Sequence, residues 1–203
     1  FAAGYGFEAP EAASTFEYFG AIGDEVSYLY GHASEPISSL VTRSGITIGS
    51  IGGSFVLRAR ERMSYAHVLV IGDGDLSRTQ ASWGRVIGKP LTSAISGRVL
   101  DPQGQPIAGA RVHATIPDPA IAARDYVTNT RTGPDGRYEM VLAPGTYQLV
   151  AAAPGRAPSA VVPAQVSAGV PATADLTLDA PGVIRYSVTD ERGSLLPAKL
   201  LFY

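Results

Sequence analysis

The chain has 203 residues, 16 basic and 18 acidic side chains, a net charge of −2, and no Cys. That balance argues against a nucleic-acid binder, which carries a basic patch or stripe, and the absence of Cys excludes disulfides, thiolate metal sites and Cys nucleophiles. Hydrophobic residues at 45% are enough to core one domain or two small ones, and no stretch reaches the roughly 18 apolar residues of a membrane-spanning helix.

The 23 Gly and 15 Pro mark a turn-rich chain, and helical periodicity is scarce. Residues 15–22 and 26–30 are aromatic and β-branched runs separated by Gly23-Asp24, and read as strands. Residues 45–51 alternate Ile with small residues. Residues 55–60 run from apolar to charged and read as another strand. Residues 66–71 (AHVLVI) have the character of a strand buried on both faces, ended by the turn residues Gly72-Asp73-Gly74-Asp75. Residues 76–84 (LSRTQASWG) form the one candidate helix. Gly88-Lys89-Pro90 reads as a boundary.

The pattern sharpens after it. Strands are expected at 95–100, at 107 with 110–116, and at 126–131, 137–142, 146–152, 161–166 and 174–178, with a loop over 117–125. The turns between them are Asp101-Pro102-Gln103-Gly104, Gly133-Pro134-Asp135-Gly136 and Ala143-Pro144-Gly145, where Pro fixes φ and Gly accepts a positive φ. About seven short strands with turns every 8–12 residues are the signature of a β-sandwich.

An internal repeat follows. Ile95, Val99, Asp101 and Gly104 recur as Ile184, Val188, Asp190 and Gly193 at the same spacing. With one deletion Ala110 matches Ala198, so residues 184–203 restart the pattern with a single hairpin, which alone is marginal in water. The hairpin either opens something further, pairs with another chain, or adds to the first sandwich as an extra edge pair.

Three motifs in residues 95–179 carry a resemblance. The first is Gly97-Arg98-Val99, Asp101, Gly104, Pro106, Gly109-Ala110 and Val112. The second is Thr132, Asp135-Gly136 and Tyr138, and the third Leu142-Ala143-Pro144-Gly145, Tyr147 and Leu149. In this order the segment resembles the carboxypeptidase regulatory-like module, a transthyretin-type β-sandwich. The resemblance implies an appendage that folds, spaces or docks neighbouring domains and has no chemistry of its own. Each matched residue also has a purely structural role. Asp101 and Gly104 make a turn, while Ala110, Val112, Tyr138, Met140, Leu142, Tyr147 and Leu149 alternate into a core. Residues 65–75 and 184–203, with Leu196-Pro197-Ala198-Lys199, look like the surroundings of such modules in some exported bacterial proteins. There the next domain is a metal-dependent hydrolase of the polymerase-and-histidinol-phosphatase type, and any such chemistry would lie beyond Tyr203.

No residue set in the chain itself forms a catalytic constellation. His32, His67 and His113 lack metal-ligand spacing and read as satisfied core or surface histidines. Asp73 and Asp75 are the best hard-cation candidates, but an EF-hand loop is missing and a turn explains them. Asp24-Glu25 and Asp190-Glu191 read as solvated turn charges. Gly49-Ser50-Ile51-Gly52-Gly53-Ser54 is Gly-rich without the Lys-Ser/Thr of a phosphate loop, and reads as a flexible hairpin loop. Arg58, Arg60 and Arg62 would share one strand face, where they could hold an anion or, balanced by Glu61, be solvated. Phe16, Tyr18, Phe19, Tyr28 and Tyr30 could stack on sugars but more simply pack a sheet.

The expected architecture is therefore all-β: a β-rich N-terminal domain at 1–90 whose fold the sequence does not name, a transthyretin-like β-sandwich at 95–179, and the start of a further repeat at 184–203. The expected function is a non-catalytic accessory or structural segment of an exported bacterial protein, extracellular, cell-surface or periplasmic. It would have no enzymatic activity, cofactor, metal or nucleic-acid partner. Its partners would be other domains of the same polypeptide or other subunits, with carbohydrate or a second copy of the chain as further candidates. The alternatives are the N-terminal part of a metal-dependent hydrolase and a self-assembling surface or filament subunit that uses strand addition. The chain opens on Phe1 and residues 1–20 lack a signal-peptide pattern, so a mature or trimmed piece is expected.

Overall fold

In the computed structural model, residues 14–33, 36–42, 45–49, 56–64, 66–116, 126–183 and 185–199 are described. The elements in chain order are β1 (Ser14–Phe16), β2 (Tyr18–Ile22), β3 (Ser27–His32), β4 (Ile37–Thr42), β5 (Gly45–Gly49), β6 (His67–Gly72), α1 (Leu76–Val86), β7 (Ser93–Leu100), β8 (Arg111–Thr115), β9 (Tyr126–Arg131), β10 (Arg137–Leu142), β11 (Gly145–Ala152), β12 (Val162–Val166), β13 (Ala172–Thr173) and β14 (Leu176–Thr177). Among the described residues the architecture is mostly β, with one helix.

Residues 93–178 form the sandwich. One sheet has the order β10-β7-β13, with β14 also on β7, and the other has the order β12-β11-β8-β9. Alternation puts Ile95, Val99, Val112, Ala114, Met140, Leu142, Leu149 and Ala151 between the sheets, all at most 2% exposed. Every expected strand of this region has a counterpart, with two changes: the strand expected at 107 with 110–116 is Arg111–Thr115, Ile107 lying outside it after an isolated bridge at Pro106, and the last strand is divided. The run at 174–178 is two short strands, Ala172–Thr173 and Leu176–Thr177, which pair parallel to β7. Between them the chain steps out of the ladder: the Asp175 carboxylate accepts the Arg98 N–H at 2.8 Å, and the Ala174 carbonyl accepts the Tyr138 hydroxyl at 2.7 Å. Gly97 makes that approach possible, since a Cβ there would lie 1.8 Å from the Ala174 oxygen. The expected loop at 117–125 lies outside the described residues.

The N-terminal part is built from two small sheets, β1-β4-β5 and β2-β3-β6. The run at 15–22, expected as one strand, divides at Glu17: β1 pairs with β4 while β2 pairs with β3. Strand β4 (ISSLVT) has no counterpart in the expected set, because consecutive Ser break the apolar alternation that marks a strand. Residues 66–71 are not buried on both faces. Leu69 is 58% and Ile71 68% exposed, because α1 covers only one side of the β2-β3-β6 sheet. Residues 56–60 form no strand; a turn occupies Ala59 and Arg60, and the expected strand's Phe55 lies outside the described residues, as do Ser50 and Ile51. The expected helix is present and runs to Val86, two residues past Gly84.

Candidate functional site: the helix between two sheets

Helix α1 begins where Asp75 caps it. The Asp75 backbone is extended, and its Oδ1 accepts the Arg78 N–H at 3.0 Å, the residue choice and geometry of an N-cap. The preceding Gly72-Asp73-Gly74-Asp75 is a turn, with Asp73 Oδ1 accepting the Asp75 N–H at 3.3 Å and Asp73 paired to Arg78 at 3.2 Å. Both candidate cation ligands are thus engaged with the helix start.

One side of α1 rests on the β2-β3-β6 sheet. Contact is close because that face carries glycines: a Cβ on Gly31 would sit 2.6 Å from the Trp83 ring, and one on Gly72 would sit 2.1 Å from Thr79 Oγ1. The Ser27 and Thr79 hydroxyls are 2.6 Å apart, and the Gly74 N–H donates to Ser27 Oγ at 3.3 Å.

The other side of α1 closes the sandwich. Strands β9 and β10 are the edges of their two sheets, and α1 lies along both. Edge strands present unpaired backbone groups that must be covered or satisfied. Ser77, fully buried, does this for Val141 with one hydroxyl: Oγ accepts the Val141 N–H at 2.7 Å and donates to the Val141 carbonyl at 3.1 Å. Gln80 Nε2 donates to the Val127 carbonyl at 3.0 Å and to the Tyr18 hydroxyl at 2.7 Å. Thr130, also fully buried, donates to Asp75 Oδ2 at 2.6 Å. Beside these bonds lies a cavity of about 280 Å³ lined by Tyr18, Gln80, Trp83, Ile87, Leu91 and Tyr147. Burial holds the Tyr18 and Tyr147 phenols above their ordinary pKa, so both stay protonated; Tyr18 accepts from Gln80, and Tyr147 donates to the Ala143 carbonyl at 2.8 Å.

A second, exposed contact joins the same parts. The Asp24 carboxylate accepts from Arg111 Nη2 at 3.0 Å and Arg131 Nη2 at 2.5 Å. The Arg111 bond first, and then the two guanidinium charges, hold its pKa below the ordinary value. Asp24 is therefore a cross-linking residue and not the plain solvated turn charge expected from the sequence, while Asp190 does make a turn, accepting the Arg192 and Ser194 N–H groups.

The remaining candidates fall elsewhere. His32 and His67 are cross-strand partners with rings 5.9 Å apart, and Tyr30 stacks on His67 at 5.2 Å. His113 lies apart on β8 beside Tyr126. Among the described residues no group of three His, Asp or Glu is placed to hold a metal ion. Arg58, Arg60 and Arg62 share no strand face: the Arg58 N–H donates to Glu61 Oε2, and Arg60 has a φ of 69°. Of the aromatic set, Phe19 and Tyr30 are cross-strand partners, and Tyr18 packs edge-on to Trp83 at 5.6 Å. The Phe16 side chain and residues 50–54 lie outside what is described.

The model of the carboxypeptidase regulatory-like domain family matches residues 94–179, the sandwich itself. Those residues are a carboxypeptidase regulatory-like domain. The strands on which α1 rests, β9 and β10, both belong to this domain. No curated protein matches the chain. Among solved structures, the chain is similar to 3-chlorocatechol 1,2-dioxygenase from Rhodococcus opacus 1CP (13% identity, TM-score 0.32, 42% of this chain and 59% of that one). It is also similar to the C-terminal domain of shaft pilin SpaA from Lactobacillus rhamnosus GG (12%, 0.32, 44% and 98%). A third similarity is to the pilus 2b backbone protein of group B streptococcus (10%, 0.34, 83% and 86%). The chain thus spans 59% of the dioxygenase's length. Overlaps of this extent assign neither an activity nor a partner to the regulatory-like domain described here.

Proposed function

We propose that the chain is a non-catalytic structural segment of an exported protein, in which a regulatory-like domain is held in fixed orientation by the N-terminal part so that neighbouring domains or subunits are positioned by it. The observation that carries this reading is the α1 junction. Asp75, Ser77 and Gln80 satisfy specific groups on β9 and β10, while Thr79 and Trp83 on the same helix meet the N-terminal sheet. A tether between two loosely linked bodies has no need for side chains matched singly to edge-strand groups. Export is supported by the kind of protein the domain resembles.

The test is the rotational behaviour of the intact chain. Residual dipolar couplings from β2, β3 and β6 and from β7 to β12 should fit one alignment tensor, and they should separate into two in a Ser77→Ala/Gln80→Ala double variant. Two independent tensors in the unmodified chain would refute the positioning role. Recovery of the native protein from the cytosolic fraction of its source would refute export.

A further inference from the structure

The turn that opens the regulatory-like domain is built twice, bond for bond. In the first copy the Asp101 N–H donates to the Gln105 carbonyl (2.8 Å), the Gly104 N–H to the Asp101 carbonyl (2.9 Å) and the Ile107 N–H to the Val99 carbonyl (2.9 Å). Asp101 Oδ1 accepts the N–H groups of Gln103 and Gln105 at 2.9 and 2.8 Å. In the second copy the Asp190 N–H donates to Ser194 (2.9 Å), Gly193 to Asp190 (3.0 Å) and Leu196 to Val188 (2.8 Å). Asp190 Oδ1 accepts from Arg192 and Ser194 at 2.9 and 2.8 Å. Gly104 and Gly193 have φ of 79° and 83°, and the bridge between Leu100 and Pro106 recurs between Thr189 and Leu195.

The surroundings differ. Val99 and Ile107 are 0% and 8% exposed; Leu196, the equivalent of Ile107, is 48% exposed, and Leu195 and Tyr186 are 77% and 63% exposed. The Val99 N–H donates to the Gly136 carbonyl at the entry to β10. The equivalent Val188 N–H has no partner among the described residues. A second difference is at Gly97, whose lack of a Cβ admits the Ala174 carbonyl. Tyr186 stands at the equivalent position, so the parallel return made by β13 and β14 has no room beside the second copy.

We infer that residues 185–189 are a strand edge that takes one neighbour, an antiparallel strand of the β10 kind seated on the Val188 N–H, and takes no parallel strand on the opposite edge. The first copy shows what covers this edge in a completed sandwich. The domain's own strand of this kind is unavailable, because β10 is held between β7 on one side and α1 on the other, so the strand that covers residues 185–189 is a different one. Its pattern is that of residues 136–142: a Gly turn, then Tyr138, Met140 and Leu142 alternating onto the apolar face that Val188 and Leu196 begin.

The experiment appends the sequence of residues 132–143 after Tyr203 of the full chain, through a flexible linker as long as residues 116–131, and follows hydrogen exchange of the 185–189 amides. Tethering at millimolar effective concentration compensates for weak pairing, so exchange there should slow by on the order of tenfold or more. The slowing should vanish in the same fusion carrying Val188→Pro and in a fusion with the appended residues in scrambled order. Unchanged exchange in the unscrambled fusion overturns the inference. Slow exchange that persists with the scrambled strand also overturns it, as does slow exchange in the unextended chain that increases with protein concentration, since the occupant would then be a second copy.

Discussion

Replacing Asp75 by Ala removes two things at once. The helix loses its N-cap acceptor for the Arg78 N–H, a loss of about 1 kcal/mol. The Thr130 hydroxyl, fully buried, loses its acceptor at 2.6 Å, and a buried donor left unmatched costs about 1–3 kcal/mol. The sum is about 2–4 kcal/mol, against at most about 1 kcal/mol for Asp73→Ala, whose side chain is 64% exposed. With a urea slope of about 2 kcal/mol per molar, the midpoint for Asp75→Ala should fall by about 1–2 M. Trp83 is the single Trp and lies on α1, so its fluorescence reports the helix while far-UV circular dichroism reports the sheets. Asp75→Asn should fall between Ala and the parent. Equal midpoints for the Asp75→Ala and Asp73→Ala variants would show that the Asp75–Thr130 bond contributes nothing and that the junction is not held as described.

Three further outcomes are expected. Gly97→Ala should destabilise the domain by about 1–3 kcal/mol or more, since its Cβ would meet a carbonyl oxygen at 1.8 Å and backbone must move; a thermal midpoint within a degree of the parent would contradict the close approach. Gly31→Ala should displace Trp83, whose ring lies 2.6 Å from the added carbon, shifting its emission together with the amide signals of Val127 and Val141, which α1 contacts; unchanged emission would contradict the close approach. His113 has its pKa lowered, first by burial and then by the Arg111 charge. The unfolded chain therefore takes up the proton first, near pH 6.5, so stability is full above that pH and declines as pH falls towards the folded-state pKa. His113→Gln should flatten this part of the stability–pH curve, and an unaltered slope would assign it to other groups.

The domain was legible because its strands alternate strictly and its turns carry Asp-Pro, Pro-Asp-Gly and Pro-Gly at the positions that need them. The split at Ala174 was not, since nothing local to 174–178 announces that Gly97, far earlier in the chain, admits its carbonyl. The helix was visible as an element, and Asp75 before it is an N-cap signal. Its role was hidden. Ser77 and Gln80 look like solvent-facing helix residues, and their partners Val141 and Val127 are 64 and 47 residues away. Residues 66–71 misled in the opposite direction: an apolar run does not say whether one face or two will be covered, and among the described residues α1 covers one. Arg58 to Arg62 alternate like a strand, yet Glu61 captures the Arg58 N–H and a turn forms instead.

The parallel placement of β13 and β14 beside β7 has a mechanical consequence. The first and last strands of the domain lie side by side and run in the same direction, so the chain enters and leaves at opposite ends of that pair. Tension between residues 90 and 180 therefore loads the Ala174–Ser96, Leu178–Leu100 and Arg98–Asp175 bonds together, in shear. Antiparallel terminal strands would put entry and exit at one end, where the same bonds would open singly like a zip. A domain threaded in this way transmits a pull along the polypeptide without yielding bond by bond.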